Sequence, residues 1–159
     1  MKKTSPQLIA QVRDYLAAHN VATLATCADG RPWAAAVFYV CDGPVFYFLS
    51  SLTSRHALQL ARNSYVALTV QEDYADWLDI KGVQIEGEVL EISGEEEAKA
   101  RRLYGEKFPV VGMLAKAPAA IVKALAKARW YKVEPHRVFF LDNGKGLGHR
   151  EEVELSGWS

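Results

Sequence analysis

The chain has 159 residues, half of them hydrophobic and about a quarter charged, which suits one domain with one sizeable core. Its 19 basic and 19 acidic residues cancel, and a net charge of zero argues against a general nucleic-acid binder, which needs clustered lysine and arginine, while leaving room for a local anion site. The start, MKKTSPQLIAQ, has no continuous apolar stretch behind its lysines and no run is apolar enough to span a bilayer, so neither a secretory signal nor a membrane partner is expected and the default location is cytoplasmic.

Thr4 and Ser5 precede Pro6, a residue suited to a first helical turn, and Leu8, Ile9, Val12 and Leu16 recur at helical spacing, which predicts an amphipathic helix over 6–19. From Val21 the pattern changes to short runs rich in β-branched and aromatic residues. Asp29-Gly30 and Asp42-Gly43-Pro44 punctuate them, predicting antiparallel strands at 21–27, 33–40 and 45–50. Thr53 or Ser54 then caps a helix in SRHALQLARN, and YVALTV (65–70) is a fourth strand. After a polar, acidic connection, KGVQIEGEVLEI (81–92) alternates Val83, Ile85 and Val89 against Gln84, Glu86 and Glu88. Gly87 interrupts the apolar set as a bulge or barrel bend requires.

Ser93-Gly94-Glu95-Glu96 reads as a capping box opening a helix to about Tyr104, with Glu95–Lys99 and Glu97–Arg101 pairs on a solvated face. Pro118 starts a further helix, AAIVKALAKA. Two strands, 129–134 and 137–141, follow, broken by Pro135, and a tail with a glycine-rich start, NGKGLGH, ends the chain. Cys27 and Cys41 lie in predicted strands outside any CxxC pattern and are expected to be buried and reduced. Strands joined by local hairpins with few crossover helices favour a closed antiparallel barrel over a doubly wound sheet, built as a single domain over 1–159. VFYFLS and WAAAVFYV carry apolar residues on both faces, so a homodimer is expected to cover what the helices do not.

The stretch richest in chemistry is Phe48-Leu49-Ser50-Ser51-Leu52-Thr53-Ser54-Arg55-His56-Ala57, where a strand ends and a helix begins. Hydroxyls of Ser50, Thr53 and Ser54, the Arg55 guanidinium and the His56 ring would together make a phosphate cradle, and the same residues also serve as an ordinary helix cap with a solvated arginine. His19, His136 and His149 are scattered with no metal-ligand spacing, so no metal site is expected. Lys145 in the NGKGLG turn reads either as an exposed lysine or as a ligand contact.

From Ala34 to Val70 the chain resembles pyridoxamine phosphate oxidase and its flavin-binding relatives, with FLS (48–50) where the family has an FYT-type strand end and SRH (54–56) where it has an SRK-type helix start. KGVQIEG (81–87) is similar to the family's RQVxIxG strand, and Trp130-Tyr131, Pro135 and the FFLDN run complete a likeness covering most of 6–143. The match is closest to an uncharacterised branch with a TRHA-like helix start, a GVQxxGE strand, an FPV segment and a DNxxGxG turn. The resemblance implies a mainly β (α+β) fold, an FMN-binding split β-barrel, antiparallel and Greek-key-like with flanking helices.

It further implies an FMN site at a homodimer interface, with the phosphate at Ser50, Thr53, Ser54, Arg55 and His56 and the flavin ring along Val37, Phe38 and Tyr39. Gln84, Trp130 and Lys145 are further candidate contacts. The chain departs from the oxidase in having Ala34 and Tyr39 where that enzyme has basic residues, His56 for its lysine and Gly82 for its glutamine, and in lacking the C-terminal Arg-His-Arg signature. Pyridoxamine phosphate oxidation itself is therefore disfavoured. The reading is an FMN-dependent oxidoreductase with unknown substrate and reductant and no assigned catalytic residue. The alternatives are a non-catalytic flavin or haem binding protein, for which His149 is a candidate haem contact, and a structural dimer that has lost its cofactor.

Overall fold

A computed structural model describes residues 5–158. The first helix, α1 (Pro6–Ala18), begins where proline's fixed φ suits a first turn, and the Ser5 hydroxyl accepts from the Leu8 N–H at 3.2 Å. Thr4, the other expected cap, lies outside the described residues. Leu8, Ile9, Val12 and Leu16 make its buried stripe.

The first hairpin joins β1 (Val21–Ala28) to β2 (Arg31–Phe38) through Asp29-Gly30, both at positive φ (53° and 70°), the two-residue turn whose twist matches that of the strands. A short β3 (Val40–Asp42) turns into β4 (Val45–Ser51). These are followed by α2 (Arg55–Leu60), β5 (Tyr65–Gln71) and β6 (Lys81–Ile92). Along β6 the expected alternation holds, with Val83, Ile85 and Val89 buried and Gln84 and Glu86 exposed.

Helix α3 (Gly94–Lys107) runs beyond Tyr104, and Ser93 makes no side-chain cap bond, so the anticipated capping box does not form. Glu97 pairs with Arg101 as expected, whereas Lys99 turns away from Glu95 to Asp42. A single turn, α4 (Pro109–Gly112), a 3-10 turn at Leu114–Lys116 and α5 (Ala119–Lys127) lead into the longest strand, β7 (Ala128–Asp142).

β7 is continuous where two strands were expected. Pro135 sits where the register with β6 slips between Glu86 and Gly87, so the extra residue bulges and the missing proline N–H breaks nothing. Gly87 is obligatory there, since a Cβ on it would lie 2.6 Å from the Glu134 carbonyl. In the tail, β8 (Arg150–Val153) pairs with the second half of β7, and Trp158 buries its ring in the core.

The sheet is antiparallel throughout, in the order β2-β1-β5-β6-β7-β4-β3, with β8 beside β7. It curls around one core that includes Leu24, Phe46, Phe48, Val70, Val83, Ile85, Val133 and Phe140. A second cluster of Tyr47, Ile92, Ala100, Tyr104 and Trp130 seats α3 on the outside. The edges formed by β2 and by β3–β4 do not pair, so the barrel is split there. Cys27 and Cys41 are free and partly buried. Among the described residues no helix is long and apolar enough to cross a membrane.

Candidate functional site

The split between β2 and β4 is the candidate site. It opens as a cleft of about 340 Å³, at the small end of the range for ligand pockets. One wall is the β2 edge, Ala36 to Phe38, and Leu49 and Ser50 at the end of β4 face it. The roof comes from the segment after α3: Phe108 meets Phe38 edge-on with ring centroids 5.5 Å apart and leans on Tyr104 at 4.6 Å, with Val110, Val111 and Leu125 beside it. Apart from the Tyr104 hydroxyl, the side chains lining this part end in carbon.

The polar end lies where β4 hands over to α2. Ser54 is the N-cap, its Oγ accepting from the Ala57 N–H at 3.2 Å. The same hydroxyl lies 3.0 Å from Ser50 Oγ, which is 2.5 Å from His56 Nε2. Burial pushes the His56 pKa below its usual value, because the imidazolium loses hydration there. A neutral ring accepting from the Ser50 hydroxyl fits this geometry. The site therefore offers two hydroxyls and one protonatable ring at one end of an apolar slot, with no lysine or arginine lining it among the described residues.

Of the residues anticipated from sequence, Val37, Phe38, Ser50 and His56 line the cleft and Ser54 supports them. The others are placed elsewhere. Tyr39 is only 1% exposed, and its hydroxyl donates to the Leu16 carbonyl at 2.8 Å while the Lys107 ammonium sits 4.2 Å above its ring. Its side chain belongs to the core and does not reach the cleft. Thr53 bonds Ser51 on an exposed turn.

The Arg55 guanidinium lies 4.4 Å over the Trp33 ring, in a neighbouring hollow with Arg31 and Arg62. Trp130 is packed beneath α3 between Tyr104 and Arg101, its Nε1 buried without a partner. Gln84 faces the outside of the sheet, where Arg150 donates to it at 3.3 Å, and Lys145 pairs with Glu151 at 2.8 Å. Sequence reasoning missed Ala36, Leu49, Tyr104, Phe108, Val110, Val111 and Leu125 as cleft residues, because nothing local says which opening a segment covers.

A larger cleft of about 640 Å³ lies between α1 and the tail, lined by Ser5, Ile9, Arg13 and Gly157 among others. Its polar groups are Ser5, Arg13, Glu154 and Ser156, and none of the site residues anticipated from sequence lies in it.

The family model described as "Pyridoxamine 5'-phosphate oxidase" matches residues 8–142. A UPF0306 protein from Klebsiella pneumoniae (strain 342) is 32% identical over 146 residues, covering 91% of either chain. Among solved structures, a heme binding protein from Mycobacterium smegmatis superposes with a TM-score of 0.75 at 22% identity, over 98% of this chain and 61% of that one. A FAD-binding protein from Mesorhizobium loti gives 0.63 at 19% identity, over 86% and 94%. At such identities the two structures speak for the fold alone.

Proposed function

The chain belongs to the pyridoxamine 5'-phosphate oxidase family and to the UPF0306 proteins, and from that premise we propose that it is a flavoprotein whose split-barrel cleft holds FMN and serves an oxidoreductase acting on a small molecule. The observation that carries the reading is the slot itself, apolar between Val37, Phe38, Leu49 and Phe108 and polar at Ser50, Ser54 and His56. A flat heteroaromatic ring with a phosphate at the far end of its side chain matches that distribution of carbon and donors.

The flavin, when bound, supplies the group that takes up and gives back electrons. The chain supplies the rest. With FMN bound, Phe108 and Phe38 would exclude water from the ring end, Ser50 and Ser54 would donate to phosphate oxygens, and His56 would hold a proton beside the anion. Among the described residues no arginine or lysine lines the slot, and His56 is the one lining side chain there that can become cationic. Pyridoxamine phosphate is a poor substrate candidate, because residues 143–159, which follow β7, contain no Arg-His-Arg.

A homodimer suits the outer face of the sheet. Thr23, Ala25, Ala67 and Thr69 line a shallow hollow of about 450 Å³ there, beside Phe139 with Arg137 and Arg150 stacked near its ring at 4.7 and 5.2 Å, and Tyr65 is 63% exposed. Two free thiols fit a reducing, cytoplasmic setting.

A haem carrier is the second reading, favoured by the mycobacterial neighbour and by a histidine at the mouth of an apolar slit. The absorption spectrum of the protein as purified, followed by an FMN titration, separates the two: flavin bands and saturable FMN binding support the first, while a haem Soret band without FMN binding overturns it. Reduction of the bound flavin by NADH or NADPH without oxygen then separates an enzyme from a carrier.

A further inference from the structure

The segment that roofs the cleft is apolar, yet it buries none of its own residues. From Pro109 to Lys127, through α4, the 3-10 turn and α5, every residue but three lysines is apolar, and none is buried. Met113 is 53% exposed, and Val110, Leu114 and Val122 are exposed with it. No acidic residue occurs between Glu106 and Glu134. Lys116, Lys123 and Lys127 have no carboxylate partner among the described residues. Exposed carbon among uncompensated ammonium groups suits a partner that is apolar and acidic.

The loop from β5 to β6 has the complementary character. Trp77 is 76% exposed, with Leu78 exposed beside it. Glu72 bonds His19, while Asp73 and Asp79 have no cationic partner among the described residues. The loop is stiffly held. The Asn143 side chain donates to the Trp77 carbonyl at 2.7 Å and its N–H to the Ile80 carbonyl at 2.9 Å, and the Leu78 N–H donates to Asp76 Oδ1 at 2.8 Å. An indole presented on a fixed frame loses little freedom on docking, and tryptophan is a common anchor of interfaces.

His19 joins the bases of both features. Its carbonyl accepts from the Lys107 ammonium at 2.6 Å, and its Nε2 lies 2.8 Å from Glu72 Oε1, so loop and roof leave the same end of the barrel. Between them runs β1, with Phe38 of β2 against the roof on one side and β5 leading into the loop on the other. We propose that in the homodimer the Trp77–Leu78 loop of each copy docks on the α4–α5 roof of the other. A twofold pair makes this contact twice, carboxylates against ammonium groups. Because Val110, Val111 and Leu125 also line the cleft, each copy then holds down the roof of its partner's site. An anionic bilayer would meet the same lysines, but Val122 is the one large exposed apolar side chain on α5, and the acidic loop would stay uncovered. The docking rests on the homodimer reading and not on the flavin.

The test reverses charge on each side: Asp73→Lys with Asp79→Lys in the loop, and Lys116→Glu with Lys123→Glu and Lys127→Glu in the roof. All five side chains are exposed, and thermal melts check that the variants fold. Sedimentation velocity over a micromolar concentration series reads self-association. The expected result is a wild-type dimer, with self-association at least about tenfold weaker in either variant, where like charges now face each other. An equimolar mixture of the two variants should dimerise as wild type does, because both contacts again pair opposite charges. Trp77→Ser should weaken the dimer as well. If both reversed variants dimerise like wild type, the docking is overturned and the homodimer stands. Weakened variants whose mixture stays monomeric also overturn it. A wild-type monomer overturns the homodimer and the docking together; binding of that monomer to phosphatidylserine vesicles, lost in the roof variant, would then assign the roof to lipid.

Discussion

Replacing His56 with lysine should change how flavin affinity depends on pH. In the free protein burial holds the His56 pKa below its usual value, and the ring sits 2.5 Å from the Ser50 hydroxyl. A phosphate dianion at Ser50 and Ser54 favours imidazolium and raises the pKa in the complex. Between the free value and the bound one, the complex therefore holds more protons than the free protein, and affinity falls as pH rises through that window. One proton limits the slope to about tenfold per pH unit, and a charged contact of ~1.5–3 kcal/mol limits the whole change to roughly 10- to 150-fold. The second phosphate ionisation, near pH ~6, works in the opposite sense and flattens the acid side.

Lysine stays charged to about pH 10, so His56→Lys should hold its affinity where wild type has lost it. The assay is FMN fluorescence titration of both proteins from about pH 6 to about pH 9, bracketing the histidine range. Parallel curves would refute a charged role for His56. The empty protein should show the reverse trend. Because the folded-state pKa is lowered, the stability contributed by the neutral ring is complete above the unfolded value of ~6.5 and is lost as pH falls through the folded value.

Tyr39→Phe should cost about 1–2 kcal/mol by urea unfolding, since the Leu16 carbonyl loses its buried donor, while FMN affinity stays unchanged; a loss of affinity would return Tyr39 to the site. Gly87→Ala should cost about 1–3 kcal/mol or prevent folding, because the added methyl meets the Glu134 carbonyl, and wild-type stability would contradict the bulge. Phe139→Glu should convert a dimer into a monomer by light scattering; a dimer that persisted would place the interface elsewhere. Asn143→Ala removes bonds to the Trp77 carbonyl (2.7 Å) and from the Gly148 N–H (2.9 Å). Hydrogen exchange should rise at 72–80 and 143–149 together, and unchanged protection would show that the two loops are not tied there.

Where the fold was legible, one local rule fixed the answer. Asp29-Gly30 forces its hairpin, the stripe from Leu8 to Leu16 forces α1, and alternation assigns both faces of β6. It was misread where a distant partner decides. Pro135 looked like a strand break because its place opposite Gly87, where the missing N–H does no harm, exists only once β6 and β7 pair. Lys99 had a suitable Glu95 one turn away and took Asp42 instead, a residue that only folding brings near. β8 is four residues, mostly charged, and carries no pattern that single-sequence reasoning could detect.

The same division runs through the candidate site. Ser50, Ser54 and His56 were read from a strand end abutting a helix start, which is local chemistry. Tyr39 shares its parity with Val37, and parity alone does not say that one lines a cleft while the other meets α1 and Lys107. Arg55 belongs to the same short motif as His56, yet its side chain leaves on the other side of α2, toward a tryptophan from a different hairpin.

The long strand β7 also has a consequence for how the chain matures. Its first half completes β4, its second half supports β8, and β6 runs along nearly its whole length. Phe46 pairs with Val133 and Ser51 with Ala128, so β4 must wait for some eighty residues of chain before it finds its neighbour. During synthesis, a chain that has emerged only to Lys127 shows two unsatisfied edges at once, one of them VFYFLSS, an apolar segment of the kind that pairs readily with copies of itself. Pairings so distant along the chain are also slow to form. The cell's exposure to misassembly of this protein is therefore concentrated in the interval between the appearance of β4 at the ribosome exit and the arrival of β7.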